Sequence, residues 1–392
     1  MATVPTPELP IHGELPSARL ELVPDTDSPE HHPELGYTLV PSLSEKGFLS
    51  PTSITRLPLA YCRGVSKAAS ALTRLHIGGN SDGMWPEPEE VIVPIDGRKQ
   101  LVLITEPTQQ PDNQSDPIVN NILLNGLTEI AQYGSASKWH KEMALRHPDR
   151  RTITLPTPGL NYKGHGLSIA DGYRRRLEQT ASENLRILQR ISGDGQANIV
   201  GISLGSFVAV HMAEQNLAAN ESAQVNLTRL KLVSPAVGAR NVDEEESFRD
   251  VSDKDFVAEM EDRFVRHMAA DIMRMALKHP EESAECLAIL GAYALGVHKL
   301  PHRLAVIAGN FNGVKAGIEW STIKQVASEY ETSILGGELD PLVKEQIPQW
   351  QSVKKNAPRT MLWLVKGMGH AMTVNAHGTA KHLAQMEHAR AA

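Results

Sequence analysis

The spacing of apolar and polar residues changes period along this chain, and the changes predict its elements. Apolar-rich runs at 89–95 and 100–105 read as strands, and Asp96-Gly97-Arg98-Lys99 between them makes the pair a hairpin. Short apolar runs at 117–124, 151–156, 197–202, 230–236, 332–335 and 360–365 predict further strands. Apolar residues at helical spacing predict helices over about 137–146, along the face Leu177, Ala181, Leu185 and Leu188, directly after position 203, over about 323–330 and over about 374–390. Ser168 is placed to cap the helical region that leads to that face. Strands alternating with helices imply an α/β fold: a mainly parallel sheet covered on both faces and entered through an antiparallel hairpin.

Two stretches break the alternation. Between 238 and 317 no strand pattern occurs, while Phe256, Met260, Phe264, Met268, Ile272 and Met275 recur at helical spacing with Val265, Met273 and Leu277 beside them. This stripe is either a plain helix core or the lining of a helical cap whose polarizable side chains face an acyl pocket. Residues 1 to about 50 are dense in Pro, Glu, Ser and Thr without a sustained period, so an irregular arm is expected there, with His31-His32 as solvated loop residues. A helix is possible at 63–72. The resulting division is an N-terminal extension over 1–88, a first core part over 89–237, a cap insertion over 238–317 and a second core part over 318–392.

Composition narrows the function classes. The 392 residues are 41% hydrophobic and 22% charged, the signature of a globular protein. Thirty-nine basic against 46 acidic residues give a net charge of -7, with no basic stripe, which argues against nucleic acid as a partner. No window approaches 18 uninterrupted apolar residues, and the first residues lack a basic region followed by an apolar one, so no membrane span and a cytoplasmic location are expected. The two cysteines, Cys62 and Cys286, exclude a disulfide framework but leave one bridge open, and free buried thiols are the expected reading.

The chemistry is concentrated in Gly201-Ile202-Ser203-Leu204-Gly205, which follows a strand run and opens a helix. That context makes it a nucleophile elbow: the serine sits on a strained turn, and small residues two places before and after it allow backbones to approach. Gly-x-Ser-x-Gly alone arises by chance in roughly one chain in eight of this length, so context must decide. The second copy, Gly79-Asn80-Ser81-Asp82-Gly83, follows no strand and runs into Pro86 and Pro88, which a helix interior forbids; it reads as a polar turn.

Attack on an acyl carbonyl needs a base to take the serine proton and a carboxylate to hold that base. Asp340, in Gly337-Glu338-Leu339-Asp340-Pro341-Leu342-Val343, and His370, in Gly367-Met368-Gly369-His370, each follow one of the last two strand runs. In an open parallel sheet such strand ends share one edge, where ligand sites form. With Gly164-His165-Gly166-Leu167-Ser168, these segments and the elbow resemble the α/β-hydrolase superfamily over about 89–237 and 318–392. The resemblance implies the α/β-hydrolase fold with an inserted helical cap, Ser203 as nucleophile, His370 as general base and acid, and Asp340 as orienting carboxylate. It also implies an oxyanion hole from the backbone N–H groups of Leu204 and of Leu127 or Gly126. The chain departs from the family in having Asn125-Gly126 where His-Gly is frequent.

Glu338 rivals Asp340 as the acid, and His165, His377 and His382 rival His370 as the base. Asp340 is favoured by its place before Pro341; His377 and His382 fall on the terminal helix, where solvated roles are expected. The function expected is hydrolysis of a carboxylic ester or related acyl bond in a small-molecule substrate, with no metal or organic cofactor implied. Thioesterase, lactonase, acyltransferase and carbon–carbon bond hydrolase remain open on the same fold, as does a silent ligand-binding scaffold. A serine at 203 disfavours haloalkane dehalogenation, which needs a carboxylate nucleophile. Oligomeric state is not read from the sequence.

Overall fold

Ten strands form one sheet in the computed structural model, which describes residues 29–32, 36–40, 62, 66, 88–109, 117–126, 134–157, 168–174, 177–235, 305–306, 310, 317–344, 346–373 and 375–391. The strands are β1 (Glu30–His32), β2 (Tyr37–Val40), β3 (Glu89–Ile95), β4 (Arg98–Thr105), β5 (Val119–Leu124), β6 (Arg151–Leu155), β7 (Gln196–Ile202), β8 (Leu227–Val233), β9 (Glu331–Gly337) and β10 (Met361–Val365). Their spatial order is β1-β2-β10-β9-β8-β7-β5-β6-β4-β3. All neighbours from β2 to β6 in that order run parallel, and antiparallel pairs occur at the two ends, β1 with β2, β6 with β4 and β4 with β3. The parallel strands therefore share a C-terminal edge.

The predicted hairpin forms with a shorter turn. Asp96 and Gly97 both have positive φ, 48° and 73°, the conformation of a two-residue turn that follows the strand twist, and Arg98 and Lys99 join β4 opposite Ile95 and Pro94.

Helices cover both faces, as the alternation predicts. They are α1 (Gly134–Arg146), α2 (Ile169–Arg174), α3 (Leu177–Ile191), α4 (Leu204–Ala218), α5 (Trp320–Glu329), α6 (Pro341–Lys344), α7 (Ile347–Asn356) and α8 (Ala376–Ala391). Successive strand residues point to opposite faces. Ile122, Ile199, Leu230, Ile334 and Leu362 pack with α3, α4, α5 and α7 in one apolar cluster. Leu123, Val200, Val233, Leu335 and Trp363 pack with Trp139 and Met143 of α1 and Leu383 and Met386 of α8 in the other. Fully burying one such side chain stabilises the fold by about 1.5–3 kcal/mol.

Ser168 does cap α2: its Oγ accepts the Asp171 N–H at 3.0 Å and donates to the Asp171 carboxylate at 2.6 Å. Helix α7 was not foreseen; Pro348 stands in its first turn, where a missing N–H breaks no helical bond.

The N-terminal arm differs from expectation. Residues expected to be irregular supply β1 and β2, and β2 adds to the edge of β10 with Thr38, Leu39 and Val40 opposite Trp363, Leu364 and Val365. A four-residue run has no period of its own to announce a strand; its ladder partner supplies the preference. His31 and His32 accordingly lie on β1, with His31 hydrogen-bonded to the Thr38 hydroxyl and the His32 ring against Tyr37. Cys62 is an exposed free thiol, where a buried one is expected. The methionine-bearing stripe from 256 to 277, Cys286 and the upstream copy at 79–83 lie outside the described residues, as do most of the expected cap over 238–317 and of the helix at 63–72.

Polar groups are also buried beneath α8. Lys231 of β8, 3% exposed, is ion-paired with Glu387, which also accepts from Arg150 at 3.2 Å and lies 3.8 Å from His147. Burial alone would raise the Glu387 carboxyl, but Lys231, His147 and Arg150 together outweigh it and hold it down at about 2. Burial pushes the Lys231 ammonium below its ordinary value, against the pull of Glu387.

Candidate active site

At the C-terminal end of β7 the chain turns directly into α4 through Ser203, whose φ of 53° and ψ of -118° lie outside the regions open to most L-residues. Such strain persists only where neighbours fix it. The Ser203 N–H donates to the Val233 carbonyl at 2.8 Å, and the Ser206 hydroxyl donates to the Gly201 carbonyl at 2.8 Å, tying the elbow to β8 and to itself. The two glycines have different neighbours. A Cβ on Gly201 would stand 2.6 Å from the Ser206 Cα, so Gly201 separates the elbow strand from its helix as expected. A Cβ on Gly205 would instead meet the end of β5, 2.6 Å from the Leu124 carbonyl carbon and 2.9 Å from the Asn125 oxygen.

His370 and Asp340 arrive from the next strand ends. Ser203 Oγ lies 2.9 Å from His370 Nε2, and His370 Nδ1 lies 2.9 Å from Asp340 Oδ2. Asp340 is fully buried, and its other carboxylate oxygen accepts the Leu342 N–H at 3.0 Å. An ionised carboxylate only accepts, so opposite one Nδ1 would carry the proton and leave Nε2 to accept from the serine hydroxyl. A serine oxygen beside an imidazole nitrogen, itself held by a buried carboxylate, can lose its proton as it attacks an electrophile.

The loops that carry Asp340 and His370 are pressed together. A Cβ on Gly337 would stand 2.7 Å from the Met368 carbonyl carbon, and the Leu339 N–H donates to the Met368 carbonyl at 2.8 Å. His370 opens a single 3-10 turn, His370–Thr373, whose last residue donates from its hydroxyl to the His370 carbonyl at 3.0 Å. The buried Trp139 of α1 holds that turn from below, donating its indole N–H to the Thr373 carbonyl at 2.6 Å. Nothing in the sequence signals this contact, because Trp139 belongs to an ordinary helical pattern far from residue 373.

Of the rival residues, Glu338 accepts the Gly367 N–H at 2.9 Å and so braces the turn before His370 rather than its ring. His377 is 74% exposed and bonds Glu142 at 3.0 Å. His382 departs from expectation: it is buried, because its side of α8 lies inward, and it bonds Gln385 at 3.2 Å. Burial holds its imidazole down at about 4. His165 lies outside the described residues.

Leu204 is the first residue of α4, so its N–H is among the leading donors that a helix leaves without an internal acceptor, at the positive end of the helix dipole. Gly126 follows β5, whose last residue, Leu124, pairs with Gly201 of the elbow strand. Leu127 lies outside the described residues. Among the described residues no helix is long and apolar enough to cross a membrane.

No family model matches this chain, and no curated protein matches it in sequence. Solved structures are similar to it in fold. The Cif epoxide hydrolase from Acinetobacter nosocomialis is 14% identical, with a TM-score of 0.50 over 82% of this chain and 96% of that one. A laboratory-evolved variant of potato epoxide hydrolase is 14% identical, with a TM-score of 0.50 over 77% of this chain and 99% of that one.

Proposed function

This chain has the α/β-hydrolase fold, and on that premise we propose that it is a serine hydrolase cleaving a carboxylic ester or related acyl bond of a small-molecule substrate. The observation that carries the reading is the unbroken run of hydrogen bonds from Ser203 through His370 to Asp340, built on a strained strand-to-helix turn.

In this reading His370 Nε2 takes the Ser203 proton as Oγ bonds to the acyl carbon. The carbonyl becomes an oxyanion for which the N–H of Leu204, at the start of α4, is one donor, with a second backbone donor after β5. Loss of one such donor costs about 2.7–4 kcal/mol of barrier in a comparable site. Collapse of the tetrahedral species breaks the bond to the leaving alcohol, which receives the proton from His370 and leaves an acyl-serine. Water then repeats both steps, with His370 again taking and returning one proton, and the products are the acid and free Ser203. Asp340 stays ionised and stabilises the imidazolium formed in each half.

Labelling of the purified protein with a fluorophosphonate probe, followed by mapping of the modified peptide, tests the reading. Labelling at Ser203 that Ser203→Ala abolishes is expected, and would direct screening of esters, thioesters and lactones of graded chain length. A folded sample that takes no label would count against an activated serine.

A further inference from the structure

The strand that carries the base has an unusual neighbour. β10 is flanked on one side by β9, which leads to Asp340, and on the other by β2, from the opposite end of the chain. Without β2, β10 would be an edge strand of five residues, the kind of element that frays. The pairing continues past the strand end: the Lys366 N–H donates to the Val40 carbonyl at 2.9 Å, immediately before Gly367-Met368-Gly369-His370. Val40 is 2% exposed and belongs to the apolar cluster that holds Trp363, Val365, Met368 and Met372, residues of β10 and of the segment on either side of His370. β2 is itself anchored at its start, where the Lys354 ammonium of α7 donates to the Gly36 carbonyl at 2.9 Å.

We propose that β2 is a positioning segment for His370, with Val40 its decisive side chain; this rests on reading His370 as the base. β2 pairs with β1 and with β10. It pairs with the far side of β10 and packs against the segment that follows, so the strand that leads to His370 is held between β9 and β2. A displacement of about 1 Å in a reacting group can cost about a hundred-fold in rate, which makes a strand of four residues able to govern turnover.

The test uses the full chain in four forms: wild type, Val40→Ala, Val40→Ile and Val93→Ala. Val93, 5% exposed on β3, lies at the other end of the sheet and controls for lost packing alone. For Val40→Ala we expect kcat and the rate of fluorophosphonate labelling to fall together by about ten- to a hundred-fold with KM little changed, while Val40→Ile and Val93→Ala stay near wild type. Should Val40→Ala not fold, Val40→Thr takes its place with the same expectation. A folded Val40 variant with unchanged kcat and labelling would overturn the positioning role, as would an equal loss in Val93→Ala. A wild-type protein that neither labels nor turns over any acyl substrate would instead remove the hydrolase reading beneath it.

Discussion

Gly205 of the elbow helix lies against Leu124 at the end of β5, so closely that a Cβ on the glycine would stand 2.6 Å from the Leu124 carbonyl carbon. The atoms in the way are backbone and cannot swing aside. Gly205→Ala is therefore expected to push α4 from the end of β5 and to destabilise the fold by about 1–3 kcal/mol or more. Labelling at Ser203 should be lost or slowed even in the folded fraction. Thermal unfolding and probe labelling on the same sample check this, and wild-type behaviour in both would mean that the strand end gives way.

The two neighbouring carboxylates make opposite predictions. Asp340→Asn keeps the shape but presents an amide to His370 Nδ1, so turnover is expected to fall by about ten-thousand-fold with the fold intact. Glu338→Gln still accepts the Gly367 N–H, so the exchange of a charged for a neutral acceptor should cost about 1 kcal/mol of stability and leave turnover near wild type. Steady-state turnover of an ester substrate separates them. Equal losses would reassign the acid.

Stability should fall as pH is lowered from about 6.5 to about 4. Burial holds His140, His147 and His382 down at about 4, against 6.5 for an ordinary imidazole. Between those values the unfolded chain binds protons that the native one does not, which favours unfolding by up to about 3 kcal/mol per histidine at the lower end. Glu387, held at about 2, extends the trend: its contribution is complete above about 4.5 and is lost as pH falls towards 2. Urea midpoints across this range should show the slope, and His140→Gln should reduce it by about one proton. A flat profile would contradict the burial of these rings.

Removing the shared carboxylate beneath α8 should hurt more than removing the lysine it holds. Glu387→Gln leaves Lys231 buried beside Arg150 without its counter-charge, an outcome that costs about 3–5 kcal/mol in comparable pairs. Lys231→Met leaves Glu387 still paired with Arg150, so its cost should be smaller. Denaturant unfolding of both variants decides the order, and the reverse order would mean that Arg150 does not share the charge.

The meeting of Ser203, His370 and Asp340 is legible in the sequence because each follows an apolar run, and the ends of parallel strands share an edge. The α/β alternation is legible because the parallel strands β5 to β10 bury both faces and read as continuous apolar runs, whereas helices such as α3 and α5 bury one face. What escapes the sequence is set by partners rather than by period. β2 is a strand because β10 offers it a ladder, Gly205 is required by β5 rather than by its own strand, and His382 is buried by the side of α8 on which it stands. Trp139 and Thr373 are joined through one indole N–H across most of the chain, a relation that no local pattern carries.

The pairing of Val40 with Val365 also imposes an order of assembly on the newborn chain. As the polypeptide leaves the ribosome, β5, β7 and β8 can come together around the elbow while β10 has yet to be made. Until then β2 has β1 as its ladder partner but lacks β10, and such distant closures are the slow steps of folding. The serine turn can thus form before β10 exists, whereas the histidine is clamped only when β2 meets β10.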